Sequence, residues 1–144
     1  MAEAVFDQIN LVVRDMERSI TFYRRLGVRI PEEAIWRTPS GIHHISITSP
    51  EVCDFAFDSH KLAREYNQGF EAERGKVLIG FRLPTREAVD ETYANLIAHE
   101  HQGLQEPYDV FWGARFAIVE DPDGNPVGLM SPSDRARGGP PPNI

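Results

Sequence analysis

The chain can be laid over itself. Ile9 falls on Ile79, Leu11 on Phe81, Val13 on Leu83, Tyr23 on Tyr93 and Leu26 on Leu96. With a slightly larger offset, Phe55 falls on Val127, Phe57 on Leu129 and Ser59 on Ser131. A matching apolar rhythm at both ends of a unit predicts two copies of one supersecondary unit, and loop-length differences account for the change of offset.

Each copy reads as βαβββ. Phe6 to Val13 alternates like a half-buried strand with Ile9, Leu11 and Val13 on its packed face. Asp15 is a good N-cap for a helix carrying Met16, Ile20, Tyr23 and Leu26 along one side, and Gly27 is placed to end it. Ile30 to Thr48 offers two strands broken at Pro39-Ser40-Gly41, and Val52 to Asp58 a fourth. The second half repeats this. Lys76 to Leu83 is a strand, Thr85 a cap, and Val89, Tyr93, Leu96 and Ile97 line one face of a helix. Strands follow near Leu104 to Val110, Arg115 to Glu120 and Pro126 to Met130, the last after an Asp-Pro-Asp-Gly turn in which Gly124 supplies φ > 0.

This divides the chain into a single domain over 1–132, with units at about 4–59 and 76–131 and a polar connector at 60–75 that holds a short helix, Lys61 to Tyr66. The tail, 133–144, has three consecutive prolines and no apolar period, and is expected to be flexible or extended. A formal net charge of −7 disfavours nucleic acid and anionic membranes, which need a basic surface. No segment approaches the roughly 20 apolar residues of a membrane span. The first residues lack the pattern of a signal peptide, so a cytoplasmic location is expected. Cys53, the single cysteine, reads as a buried thiol.

Three stretches then carry a family resemblance: INLVVRDMERSITFYRRLG, FWGAR at 111–115 and VEDPDGNPVGLMSP at 119–132. In this order and spacing the chain resembles the vicinal oxygen chelate superfamily, which includes glyoxalase I, extradiol dioxygenases and bleomycin-resistance proteins. The resemblance implies an α+β fold in which two βαβββ units form curled mixed sheets around a ligand cup, and a homodimer. It also implies four ligand positions for a divalent metal in the metal-using members. Carried over by motif, these fall on Gln8, Leu78, Ala56 and Gly128, of which one can bind a metal. No metal and no cofactor are therefore expected.

Strand alternation puts Gln8, Asn10 and Val12 on the cup face, with Leu78, Gly80 and Arg82, with Asp54, Ala56 and Asp58, and with Pro126, Gly128 and Met130. Gly80, Ala56 and Gly128 are expected to leave room at its floor. Trp36, Phe111, Trp112 and Met130 supply apolar walls, and Gln8, Asn10, Asp58, Arg82 and Arg115 orient a polar ligand. Trp112 also reads as a rim or interface aromatic, and Gln8 and Asn10 as satisfied polar lining. His43 and His44 point to opposite faces of a strand, so they do not serve one metal together. No catalytic set is assigned. The function these features imply is metal-independent binding of a small organic molecule, a drug or a metabolite. The alternative is a glyoxalase-like lyase, isomerase or dioxygenase with an altered metal site or none, in the last case using Asp58 or Glu120 as a base.

Overall fold

The computed structural model describes residues 2–26, 29–47, 54–73, 77–120 and 124–144. Within them the chain runs β1 (Val5–Val13), α1 (Met16–Leu26), β2 (Ile35–Thr38), β3 (Gly41–Ile47), β4 (Asp54–Ser59) and α2 (His60–Tyr66). The second half runs β5 (Val77–Arg82), α3 (Arg86–Ala98), β6 (Gly103–Asp109), β7 (Arg115–Glu120) and β8 (Pro126–Met130).

All eight strands join one curled sheet in the order β2-β3-β4-β1-β5-β8-β7-β6. Each unit has one parallel pair, β1 with β4 and β5 with β8, and the units meet where β1 runs antiparallel to β5, Ile9 opposite Ile79. The repeat seen in the sequence is thus an internal two-fold, and its two halves share one sheet within one chain.

The caps are those the sequence offers. The Arg18 N–H donates to Asp15 Oδ1 at 3.0 Å and the Ala88 N–H to Thr85 Oγ1 at 3.1 Å. Gly124 has φ of +83°. The packed face of α3 is carried by Val89, Tyr93 and Leu96 against Leu83, Ala117 and Leu129, whereas Ile97, expected on that face, is 39% exposed. The strand expected from Ile30 starts only at Ile35. Arg24 takes the Ile30 carbonyl at 2.6 Å and pairs with Glu32, and a 3₁₀ turn over Glu32–Ala34 follows. The expectations for Gly27, Thr48, Val52, Cys53, Lys76 and the Asp-Pro-Asp part of the last turn, and for the side chains of Tyr23 and Leu26, lie outside the described residues.

Helices α1 and α3 cover the convex side. Met16 and Ile20 pack with Ile42, Ile45 and Phe57 under the first unit. The concave side is filled unevenly. Leu78, Phe116 and Ile118 of the second unit pack with Leu62, Ala63 and Tyr66 of α2. The segment read as a connector therefore supplies a wall: α2 is capped by Ser59, whose Oγ accepts from the Leu62 N–H at 3.1 Å, and it closes over the second unit. The tail is laid along the body. The Gly139 N–H donates to the Phe111 carbonyl at 2.8 Å, and Thr38 Oγ1 and Ser40 Oγ donate to the Ile144 carbonyl at 2.9 and 2.6 Å.

Candidate functional site

With the second unit's concave face occupied by its own core, the open part of the cup lies over the first. It is a cavity of about 430 Å³. Its floor is polar: Gln8 and Asn10 from β1, Asp54 and Asp58 from β4, and His44 and Ser46 from β3. These six share one face because residues two apart on a strand do, and because β4 sits between β1 and β3 in the sheet.

The opposite wall is aromatic. Trp36, Phe111, Trp112 and Phe116 form a continuous arc, with successive ring centroids 5.9, 5.0 and 5.7 Å apart. Met130 closes one end, its sulfur accepting the Trp112 indole N–H at 3.4 Å. Phe111 and Trp112 sit in the β6–β7 turn, held there by Gly113 at φ +90°, whose N–H donates to the Val110 carbonyl at 2.9 Å.

Asp58 organises the floor. Its side chain is 2% exposed and accepts from Asn10 Nδ2 at 3.2 Å, Tyr66 Oη at 2.8 Å and His44 Nδ1 at 2.5 Å. Asp58 engages His44 through Nδ1, so Nε2 is the ring nitrogen left to meet a ligand. Burial first, and then the Asp58 carboxylate, hold the Tyr66 phenol well above its usual range, so Tyr66 remains a donor. Burial and then Asp7 also raise Asp54, with Arg82 partly offsetting them. Asn10 Oδ1 is buried without a hydrogen-bond partner.

Seven of the expected ligand-binding residues meet at this cavity: Gln8, Asn10, Trp36, Asp58, Phe111, Trp112 and Met130. Three do not line it. Arg82 is turned to Asp7 at 3.0 Å and is half exposed. Arg115 struts β7 to α3 and β6 through Asp90 at 2.8 Å and Asp109 at 3.1 Å. Gly128 lies beneath other side chains, since a Cβ there would meet Leu78 Cδ2 at 3.0 Å and Phe116 Cε2 at 3.4 Å. The room expected at Gly80 is likewise taken, because a Cβ there would meet Gln8 Cγ at 2.5 Å. In both cases the glycine admits a neighbouring side chain of the protein. Glu120 lines a separate depression beside Gln102 and Phe70.

Strand parity separates His43 from His44 without saying which faces the cup, and it does not reach Tyr66, Phe116 or Ser46; the structure places His44 at the cavity. The signal for Tyr66 was the spacing of Leu62 and Tyr66 on one face of a short helix, hidden in a charged stretch. His43 faces away. Its Nδ1 meets Ser59 Oγ at 3.0 Å and its Nε2 meets Ser40 Oγ at 2.8 Å, while burial and then Lys61 lower its pKa.

The donor set does not fit a divalent metal. The four carried-over positions supply one amide oxygen among Gln8, Leu78, Ala56 and Gly128, and Leu78 is packed into the core. Among the described residues no three His, Cys, Asp or Glu side chains converge as a metal site.

A search of curated proteins found no match to the chain. Among solved structures, an extradiol ring-cleaving dioxygenase from B. fuscum superimposes with a TM-score of 0.62 at 21% identity, over 94% of this chain and 36% of that one. A protein described as an NAD-dependent benzaldehyde dehydrogenase from Legionella pneumophila gives 0.60 at 16%, over 86% and 96%. A glyoxalase/bleomycin resistance protein/dioxygenase superfamily member from Vibrio splendidus 12B01 gives 0.55 at 14%, over 92% and 100%. At these identities the likeness is one of fold, and such different descriptions on one fold carry no chemistry across. The family model of the glyoxalase/bleomycin resistance protein/dioxygenase superfamily matches residues 5–129, nearly the whole repeat, and the chain belongs to that superfamily.

Proposed function

We propose that the protein binds a small, flat organic molecule in the cup without a metal and sequesters it, as a drug or a metabolite. The observation that carries this is the aromatic arc from Trp36 to Phe116 facing a polar floor across about 430 Å³. Ligand pockets combine largely apolar walls with a few placed polar groups, and their volumes are of this order. Metal independence rests on Leu78, Ala56 and Gly128, which have no donor to give. A cytoplasmic homodimer is part of the same proposal.

The test has two arms. Elemental analysis of protein purified without chelator is expected to show no stoichiometric Zn, Ni, Mn or Fe, and one equivalent of any of these overturns metal independence. A panel of flat aromatic compounds followed by tryptophan fluorescence is expected to yield saturable quenching that Trp112→Leu weakens at least about tenfold, since a lost aromatic contact in a desolvated pocket is worth that much.

A second reading is favoured by one contact, the His44–Asp58 pair at 2.5 Å. The Asp58 side chain is 2% exposed and its oxygens are taken by Asn10, Tyr66 and His44, so a metal-free lyase or isomerase built here would use His44 Nε2 as its base and Asp58 as the residue that positions it. This changes the expectation from the sequence, in which Asp58 or Glu120 was itself the base; Glu120 lines a separate depression. A turnover found with any bound compound and lost in His44→Gln would put this reading in place of pure sequestration.

A further inference from the structure

The carboxylates of the cup are Asp54 and Asp58, and His44 is held on the second of them. Among the described residues no Lys or Arg lines the cup. Among the described residues the Asp54 side chain has no hydrogen bond and no salt bridge, although it lines the cavity and is partly buried. Nearby, Asp7 takes the Arg82 guanidinium at 3.0 Å, so two carboxylates share that cation. Deeper in, Asp58 is held by the amide of Asn10, the phenol of Tyr66 and the imidazole of His44. Asn10, 8% exposed, gives its N–H to Asp58 and keeps Oδ1 without a partner, a buried acceptor that calls for a donor or a positive charge. Above this floor stand four aromatic rings, Trp36, Phe111, Trp112 and Phe116, whose π faces attract cations.

We infer that the cup selects organic cations, flat aromatic rings carrying a positive charge, over neutral or anionic rings of the same size. The inference rests on the binding reading above and specifies its ligand class. A cation would sit against Asp54, close enough for its field to reach the buried Asn10 oxygen, with the arc of Trp36, Phe111 and Trp112 on the other side. An anion would meet the same two carboxylates, with His44 already held by Asp58.

Three probes of one shape separate the two claims: 1-methylquinolinium, quinoline and quinoline-2-carboxylate, titrated calorimetrically at pH 7.5 and low salt, where they are cation, neutral molecule and anion. The expected result is that 1-methylquinolinium binds at least about tenfold more tightly than quinoline, the size of a desolvated cation–π and ion-pair contribution, and that the carboxylate binds weakest. In Asp54→Asn the cation-to-neutral ratio should fall at least about threefold. Equal or tighter binding of quinoline overturns the charge preference and leaves the cup reading standing. Binding of none of the three overturns both. A cation preference that survives unchanged in Asp54→Asn overturns the assignment of Asp54 as its source.

Discussion

Asp58 is a buried carboxylate with three donors converging on it from β1, β3 and α2, and each of those donors belongs to a different part of the cup. Removing one donor costs more than an average hydrogen bond, because bonds to a charged group are stronger and the carboxylate cannot turn to water instead. Tyr66→Phe is therefore expected to lower the free energy of unfolding by about 1.5–3 kcal/mol, read as a shift of the urea midpoint at unchanged slope. A change below about 0.5 kcal/mol, the level of an ordinary surface substitution, would mean that Tyr66 does not hold Asp58 in solution. At this scale the sequence was half legible. Alternation along a strand finds Asn10 and Asp58, because direction on a strand follows from parity alone. It cannot say that Gly80 makes room for Gln8, or Gly128 for Leu78 and Phe116, since who fills a gap depends on neighbours brought in from other strands.

Helix α2 shows the same limit one level up. Over His60–Tyr66 its composition is polar and charged, which suggests a solvated connector, yet Leu62, Ala63 and Tyr66 are buried. Seven residues form too short a helix to hold itself together, and packing and capping must supply what propensity does not. Ser59 is the cap, and its Oγ also meets His43 Nδ1, so one hydroxyl ties α2 to β3. Ser59→Ala should destabilise the protein by about 1–2 kcal/mol, from the lost cap together with the lost side-chain bond. If α2 walls the cup as its contacts with Phe116 and Val12 indicate, the same variant should also weaken ligand binding, although Ser59 does not line the cavity. Loss of stability with ligand affinity unchanged would show that the wall holds its place without its cap. The helices α1 and α3 were readable because each carries a longer apolar stripe behind a side-chain cap; α2 has the cap but only one turn of stripe.

On the scale of the whole molecule, the internal repeat was visible as matched residues, but the way its halves meet was not. Two βαβββ units leave β1 and β5 each with a free edge, and such edges seek partners. Here they find each other: residues 5–11 of β1 pair with 77–82 of β5, with a bulge between Phe6 and Gln8. The joined sheet makes one cup from one chain, floored by the first unit and walled by Phe111, Trp112, Phe116 and Met130 of the second. The strand edges left open are β2 and β6, at the two ends of the sheet. Because one chain supplies the whole lining of the cavity, each chain of a homodimer would bring a complete site to it. Calorimetric titration with a ligand from the aromatic panel should then give one site per 16.3 kDa chain. Affinity should not change on diluting the protein through any dimer-to-monomer transition seen by light scattering, because dissociation removes no residue that lines the cavity. A stoichiometry of one ligand per two chains, or affinity that collapses as the dimer dissociates, would require a residue from the second chain in the cup, and the pairing of β1 with β5 within one chain would no longer account for how the site is built.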